Sequence, residues 1–502
     1  MQSTSKQTFD SSEASWSPPR TALLWASSGV LGAAAAAMLC DGTPGLSWPL
    51  LVVGASLALL LVERPAARVL FSQRYAAIGL ACVLSGAAAI TAEPGIQFLL
   101  FVGLLWLGAV VTCLAGGLPP RSLGAGRLAG APFVAPVLIA REATRVVGEG
   151  VSTLGTEESV PPLRGVALAV PILAILVALL GEADPSFGAF RDGVVHVLTN
   201  LSGLGRVIFG LVVAFSCLGY LNLARRHASR PIEWRGRREP GARHTDIERG
   251  IVQGAIAALL GVFLLLQLSY LFGNPGARPG SGVTLAEAVH RGFTEMSLVV
   301  AFVAAVLALL DRRALRGARE RWVGLLSAVV VIECLVLLAS AYYRLAAYEG
   351  AYGYTELRIG VRLYIGFLAV TVVLLAAELN RGMDAARFCW RVSVAALAML
   401  AVLGYWNYSA WILDANLERF ARSGRLDRDY LAQTGINGLP ALVAALPRLD
   451  ADSRAEVIKL VCGNPDSRCS SAATAPESSW FEWNLRRSSA RAAFKELAHD
   501  QS

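Results

Sequence analysis

Apolar residues gather into long unbroken runs, separated by short stretches rich in arginine, proline and glycine. Eleven runs are candidates to cross a bilayer. They are Thr21–Cys40, Leu46–Val62, Tyr75–Thr91, Ile96–Leu114, Arg164–Leu180, Val207–Leu223, Ile251–Phe272, Glu295–Leu310, Trp322–Tyr343, Ile359–Glu378 and Trp390–Trp411. About 20 apolar residues span the hydrocarbon as a helix, and about 17 suffice with little tilt or local thinning. Backbone groups in hydrocarbon must be satisfied within their own segment, so each span is predicted to be α-helical. The predicted fold class is therefore all-α: a polytopic membrane helix bundle of about eleven spans with a small extracytoplasmic α-helical C-terminal region. Residues 1–20 form a cytoplasmic polar tail, 21–411 the bundle and 412–502 a separate helical region.

Two segments test that count. Ala131–Ala140 is apolar but short, and it contains Pro132 and Pro136 and is followed by Arg141. It is expected to be interfacial or re-entrant, because counting it as a span would invert the charge pattern of every later loop. The first span is expected to be a retained anchor rather than a cleaved signal peptide, since its 20-residue polar lead is only weakly basic. In the C-terminal region, Asp414 can cap a helix that stops at Gly424, and Asp427 can begin another. Short helices are expected at Leu439–Leu446 and Ala455–Val461. An amphipathic one near Trp480–Leu497 would either pack on the tail or lie at the membrane surface.

Composition sharpens this picture. The 502 residues are 55% hydrophobic and 16% charged, with a mean hydropathy of +0.53. A soluble protein carries about 25% charged residues, so disordered, fibrous, disulfide-scaffold and ordinary soluble-enzyme classes are excluded. The net charge of +8 comes from 42 arginines and only three lysines. No clustered basic face with groove-reading elements accompanies them, so no nucleic-acid partner is expected. Sorted by loop, 26 basic residues fall on one side, 7 on the other and 12 in the C-terminal tail. The positive-inside rule then places the N-terminus in the cytoplasm of a bacterial inner membrane and the C-terminal tail outside.

Chemistry-bearing residues are few. Six cysteines sit in or beside spans as small hydrophobes. Cys462 and Cys469 lie seven apart in the external tail and are disulfide candidates, a closure contributing roughly 2.5 kcal/mol. The five histidines are scattered, with no metal-ligand spacing, nucleophile elbow or phosphate loop, so no catalytic residue, metal or cofactor is assigned. Glu333 stands out as a carboxylate roughly 17 Å into a span. It is either a protonated group holding two helices together or a functional acid whose partners would be Arg362 or Gln267. Asp184 follows another span, and Arg344, Tyr348, Glu349, Tyr354, Glu356 and Arg358 crowd one predicted loop. Arg358 and Arg362 are spaced to share a helix face. Glu333, Arg358, Arg362, Arg344, Glu356 and Asp184 are thus candidate substrate-binding residues, an anionic head group or carboxylate being the ligand bidentate arginines suit. The competing reading is a salt-bridge network with aromatic anchors.

Several stretches resemble a family. They are Gly181–Phe187, Gln267–Gly273, Arg291–Glu295, Tyr343–Tyr348, Tyr352–Arg358, Asn416–Arg419 and Asp427–Leu431 with Pro440. In this order they resemble bacterial polytopic membrane proteins of the domain of unknown function 4173, with departures at Ala288, His290 and Gly435–Gly438. The resemblance implies a multi-pass membrane location and carries over no reaction. The expected role is a non-enzymatic envelope scaffold or sensor, in contact with membrane lipids and binding an envelope protein through its tail. The alternative is a transporter or lipid-handling protein built on the Glu333 and arginine site.

Overall fold

The structure, a computed structural model, describes residues 18–40, 42–63, 72–116, 125–152, 203–227, 245–271, 285–312, 321–424, 430–431, 435–462 and 479–500. Its bundle comprises α1 (Pro18–Leu39), α2 (Ser47–Glu63), α3 (Gln73–Ile90), α4 (Pro94–Ala115), α5 (Ala125–Ser152) and α6 (Leu204–His227). It continues with α7 (Asp246–Leu271), α8 (Leu285–Arg312), α9 (Arg321–Tyr352), α10 (Glu356–Arg381) and α11 (Ala385–Tyr405). Eight of the described helices are long and apolar enough to cross a membrane, and α2 and the apolar half of α8 are shorter stretches of the same kind. These match ten of the expected spans; Arg164–Leu180 lies outside the described residues. The fold is an all-α polytopic membrane bundle.

Two apolar cores organise it. Leu24, Leu59, Val146 and Leu221 join α1, α2, α5 and α6, while Val300, Val330, Leu337, Val372 and Leu375 join α8, α9 and α10. Helix α11 returns to the first half, where Leu397 and Ala401 pack on Leu84, Ala87 and Leu100. Glycines permit the closest crossings: a β-carbon at Gly32 of α1 would collide with the carbonyl of Gly210 on α6. Small residues let helix backbones approach where no hydrophobic drive separates protein from lipid. Outward-facing residues such as Leu259, Phe302 and Leu325 stay largely exposed, an apolar surface far beyond what a soluble monomer shows.

Helix α5 contains the segment expected to be interfacial or re-entrant. Trp106 of α4 donates its indole N–H to the carbonyl of Leu128 at 3.2 Å, and Leu138 lies beside Gly116 at the end of α4. Ile139 meets Gly219, and Glu142 accepts from Asn222 at 2.9 Å. Helix α5 therefore runs alongside α4 and α6 in their own direction, level with their final turns.

The C-terminal region corrects an expectation. The last bundle helix ends at Tyr405, not Trp411, because Asn407 caps a new helix, α12 (Tyr408–Ser423), by accepting from Ala410 N. Gly424 closes α12 in the left-handed region at φ +66°, as its position implied. There follow α13 (Leu439–Ala445), a 3-10 turn (Leu446–Arg448), α14 (Ala451–Cys462), a second 3-10 turn (Trp480–Glu482) and α15 (Leu485–Asp500). Leu413, Leu439, Leu442, Val457, Ala490 and Ala493 form their shared core, so the terminal helix packs on the tail. The region has its own core, and polar side chains tie it to the bundle. Asp427, Asp184, Cys469 and the side chain of Cys462 lie outside the described residues.

Candidate functional site

The expected loop of charged residues is mostly helix. Helix α9 continues nine residues past the expected end, so Arg344, Tyr348 and Glu349 ride on its last turns. Only Gly353, Tyr354 and Thr355 connect it to α10. Gly353 adopts φ +84°, where a β-carbon would lie 2.8 Å from Asn416 Oδ1, so glycine is required for both conformation and space. Thr355 then caps α10 by accepting from Arg358 N, and Glu356 puts a negative charge in the first turn, where the helix dipole favours it.

Each candidate side chain at this junction has a partner within the protein. Arg358 donates to the carbonyls of Tyr352, at 3.1 Å, and Gly353, and its guanidinium stacks 4.5 Å from the Tyr348 ring. Glu356 accepts from Ser409 Oγ at 3.2 Å, and its backbone N–H donates to the Tyr430 hydroxyl at 3.0 Å. Arg362 donates to Glu349, which is fully buried, and lies over the rings of Tyr342 and Tyr354. Although α10 does place Arg358 and Arg362 one turn apart, they serve different partners. Arg344 sits half-buried on α9. The arginines meet backbone carbonyls, a carboxylate and aromatic faces.

The tail is fastened at three places. Tyr354 N donates to Asn416 Oδ1 at 2.8 Å while Asn416 Nδ2 donates to Tyr354 O at 2.9 Å, and Arg419 donates to the carbonyls of Gly350 and Ala351. Asn437 accepts from Ala92 N at 3.0 Å and donates to Thr91 Oγ1. Asn484 donates to the carbonyls of Ala88 and Thr91 at 2.9 and 2.8 Å, while its own oxygen accepts from Arg486 N and Arg487 N to start α15. Leu46 N donates to Trp483 O at 3.0 Å, and Arg487 reaches Thr43 and Pro44. Burial against this frame lowers the Arg487 pKa, through loss of water around its charge. These asparagines carried no sequence signal beyond Asn416, which begins one of the quoted stretches.

Glu333 stands apart. Its carboxylate packs against Gly261 of α7, and its Oε2 has no hydrogen-bond partner among the described residues. The expected pairing with Arg362 is corrected: Arg362 pairs with Glu349, sixteen residues or about 24 Å further along α9. The side chain of Gln267 lies outside the described residues. Two ion-pair clusters absent from the sequence expectations lie elsewhere in the bundle. Arg249, 2% exposed, joins Asp246 and Asp311, and buried Glu378 accepts from Arg387 Nε at 2.9 and 2.8 Å and from Arg391. Intervals of 62 residues for Arg249–Asp311 and of 9 and 13 for the Glu378 pairs hid these from any helical periodicity. Among the described residues no group of three His, Cys, Asp or Glu could hold a metal ion.

A family model described as Domain of unknown function (DUF4153) matches residues 78–445. This corrects the resemblance to family 4173, although every stretch quoted for it falls inside the matched range. The match runs from within α3 through the end of α13, so it includes the bundle except α1, α2 and the first turn of α3, and the first part of the tail. No curated protein and no solved structure matches the chain.

Proposed function

The chain belongs to the DUF4153 family, and from that premise we propose that it is a non-enzymatic scaffold or sensor of the bacterial inner membrane, its C-terminal tail mounted outside as a binding platform. The observation that carries this reading is the fastening of the tail through Asn416, Asn437 and Asn484 to the backbone between successive bundle helices. The loops so held, around Thr43, Thr91 and Tyr354, are among those that the arginine count puts outside. A tail bonded to three loops presents its surface in a set orientation, with Trp480 66% and Trp483 43% exposed. Exposed tryptophans are favoured anchors for protein partners. The transporter alternative loses its Glu333–Arg362 pair and keeps only Glu333.

The test is site-specific photo-crosslinking from position 480 in intact cells, combined with a C-terminal reporter of sidedness. A discrete crosslinked partner and an external C-terminus are expected. A cytoplasmic C-terminus, or a growth and envelope phenotype unaffected by removing residues 479–500, would overturn the reading.

A further inference from the structure

Eight buried side-chain polar atoms lack a hydrogen-bond partner among the described residues, and six of them lie on α7, α9 and α10. They are Arg249 Nε, Gln253 Nε2, Glu333 Oε2, Ser340 Oγ, Glu349 Oε1 and Arg362 Nε. Helices α7 and α9 run side by side in the same direction. Trp322 packs on Gly250, Ser327 Oγ donates to Gln253 Oε1 at 3.1 Å, and Glu333 lies against Gly261. Ser327, Glu333, Ser340 and Glu349 thus follow one another along α9 at intervals of roughly 9, 10 and 14 Å. Gln253 is fully buried and Ser340 is 1% exposed.

Buried polar groups are hydrogen-bonded in the great majority of cases, and one left unmade costs about 1–3 kcal/mol. A single orphan is a local cost. Four of the six, on Arg249, Gln253, Glu333 and Ser340, follow one another along the paired helices α7 and α9 from the Arg249–Asp311 ion pair. They have a common explanation in water, which bonds otherwise unsatisfied groups wherever a site is polar and roomy enough. Gaps of about 10 Å suit short chains of waters bonded at about 2.8 Å. Among the described residues no cation faces Glu333 to hold it ionised. Residues 254–266 of α7 and 297–310 of α8 contain no titratable group. Over the same depth, α9 adds only Cys334 and α10 only Tyr364.

We propose that water enters the seam between α7 and α9 and that Glu333 binds and releases a proton through it. The exchange balances as carboxylic acid plus water giving carboxylate plus hydronium, the proton leaving Oε2 along the water chain. Intramembrane acids mark proton and ion pathways, so this seam supplies an activity independent of the tail and its partner.

The experiment is infrared spectroscopy of the full-length protein in lipid bilayers, titrated with pH and transferred to heavy water. The expected result is a protonated-carboxyl stretch that is lost reversibly as pH rises, that shifts on deuteration, and that is absent from Glu333→Gln. Glu333→Asp should move this band without removing it, which assigns it even if the Gln variant fails to fold. Ser340→Cys, placed in a variant whose native cysteines are replaced by Ala, should react with a water-soluble, membrane-impermeant thiol reagent. A band unchanged by pH and deuterium, or an unreactive Cys at position 340, would overturn the proposal and leave Glu333 as a sealed structural acid. Neither result bears on crosslinking from the tail.

Discussion

Asn416 and Tyr354 exchange two hydrogen bonds, side chain to backbone, across 62 residues of sequence: Oδ1 accepts from Tyr354 N at 2.8 Å and Nδ2 donates to Tyr354 O at 2.9 Å. The asparagine imitates a neighbouring strand for a backbone that has no helical partner at the α9–α10 turn. Asn416→Ala removes both bonds and leaves two backbone groups unmatched, a loss of about 2 kcal/mol. The expected outcome is a lower unfolding midpoint in detergent and faster protease release of the tail, with the bundle helices intact by circular dichroism. A variant as resistant as wild type would show that the tail is held elsewhere.

The buried Glu349 depends on Arg362. Removing one partner of a buried pair leaves an uncompensated charge and costs about 3–5 kcal/mol. Arg362 is a quarter exposed, so Arg362→Ala should fall at the lower end. Adding Glu349→Gln should recover part of the loss, because the stranded carboxylate is gone. Denaturation of the two variants in mixed micelles measures this, and a double variant less stable than Arg362→Ala would contradict it.

Glu378 has two arginines. With either Arg387→Ala or Arg391→Ala the carboxylate keeps one partner, and each should cost about 1 kcal/mol. With both removed a fully buried charge is left alone, so the double variant should lose several kcal/mol, more than the sum. Simple additivity in a double-mutant cycle would mean the two arginines act independently.

Tyr408, in the first turn of α12, is 7% exposed, and burial pushes its hydroxyl above the ordinary tyrosine value of about 10. A group whose folded pKa is raised contributes stability that is complete below its unfolded pKa and is lost as pH rises toward the folded one. The protein should therefore weaken above about pH 10, and Tyr408→Phe should flatten that slope. Equal slopes for variant and wild type in alkaline unfolding would refute the assignment.

Hydrophobic run length was a reliable guide to the bundle because a bilayer imposes one requirement on every span, whatever its neighbours. Gly424 was equally legible, since a helix stop is a local backbone property. The end of α9 was not. Polar residues Arg344, Tyr348 and Glu349 marked a loop by composition, yet Glu349–Arg362 pairing and the Tyr348–Arg358 stack carry the helix to Tyr352. The terminal helix was ambiguous for a related reason. Its amphipathic face fits either lipid or a protein core, and Leu439, Leu442 and Val457 decided between them.

From the chain alone follow its all-α membrane class, the places where most of its helices cross, and the isolation of Glu333 in an apolar helix, because each reflects the free-energy cost of polar groups in hydrocarbon, summed over a local window. Tertiary structure alone decided which charges meet. Arg362 serves Glu349 and not Glu333, Arg249 reaches Asp311 across 62 residues, and Asn437 and Asn484 anchor the tail to loops more than 340 residues earlier. Ion pairs and hydrogen bonds act over a few ångströms, and only the packed chain brings such distant residues that close.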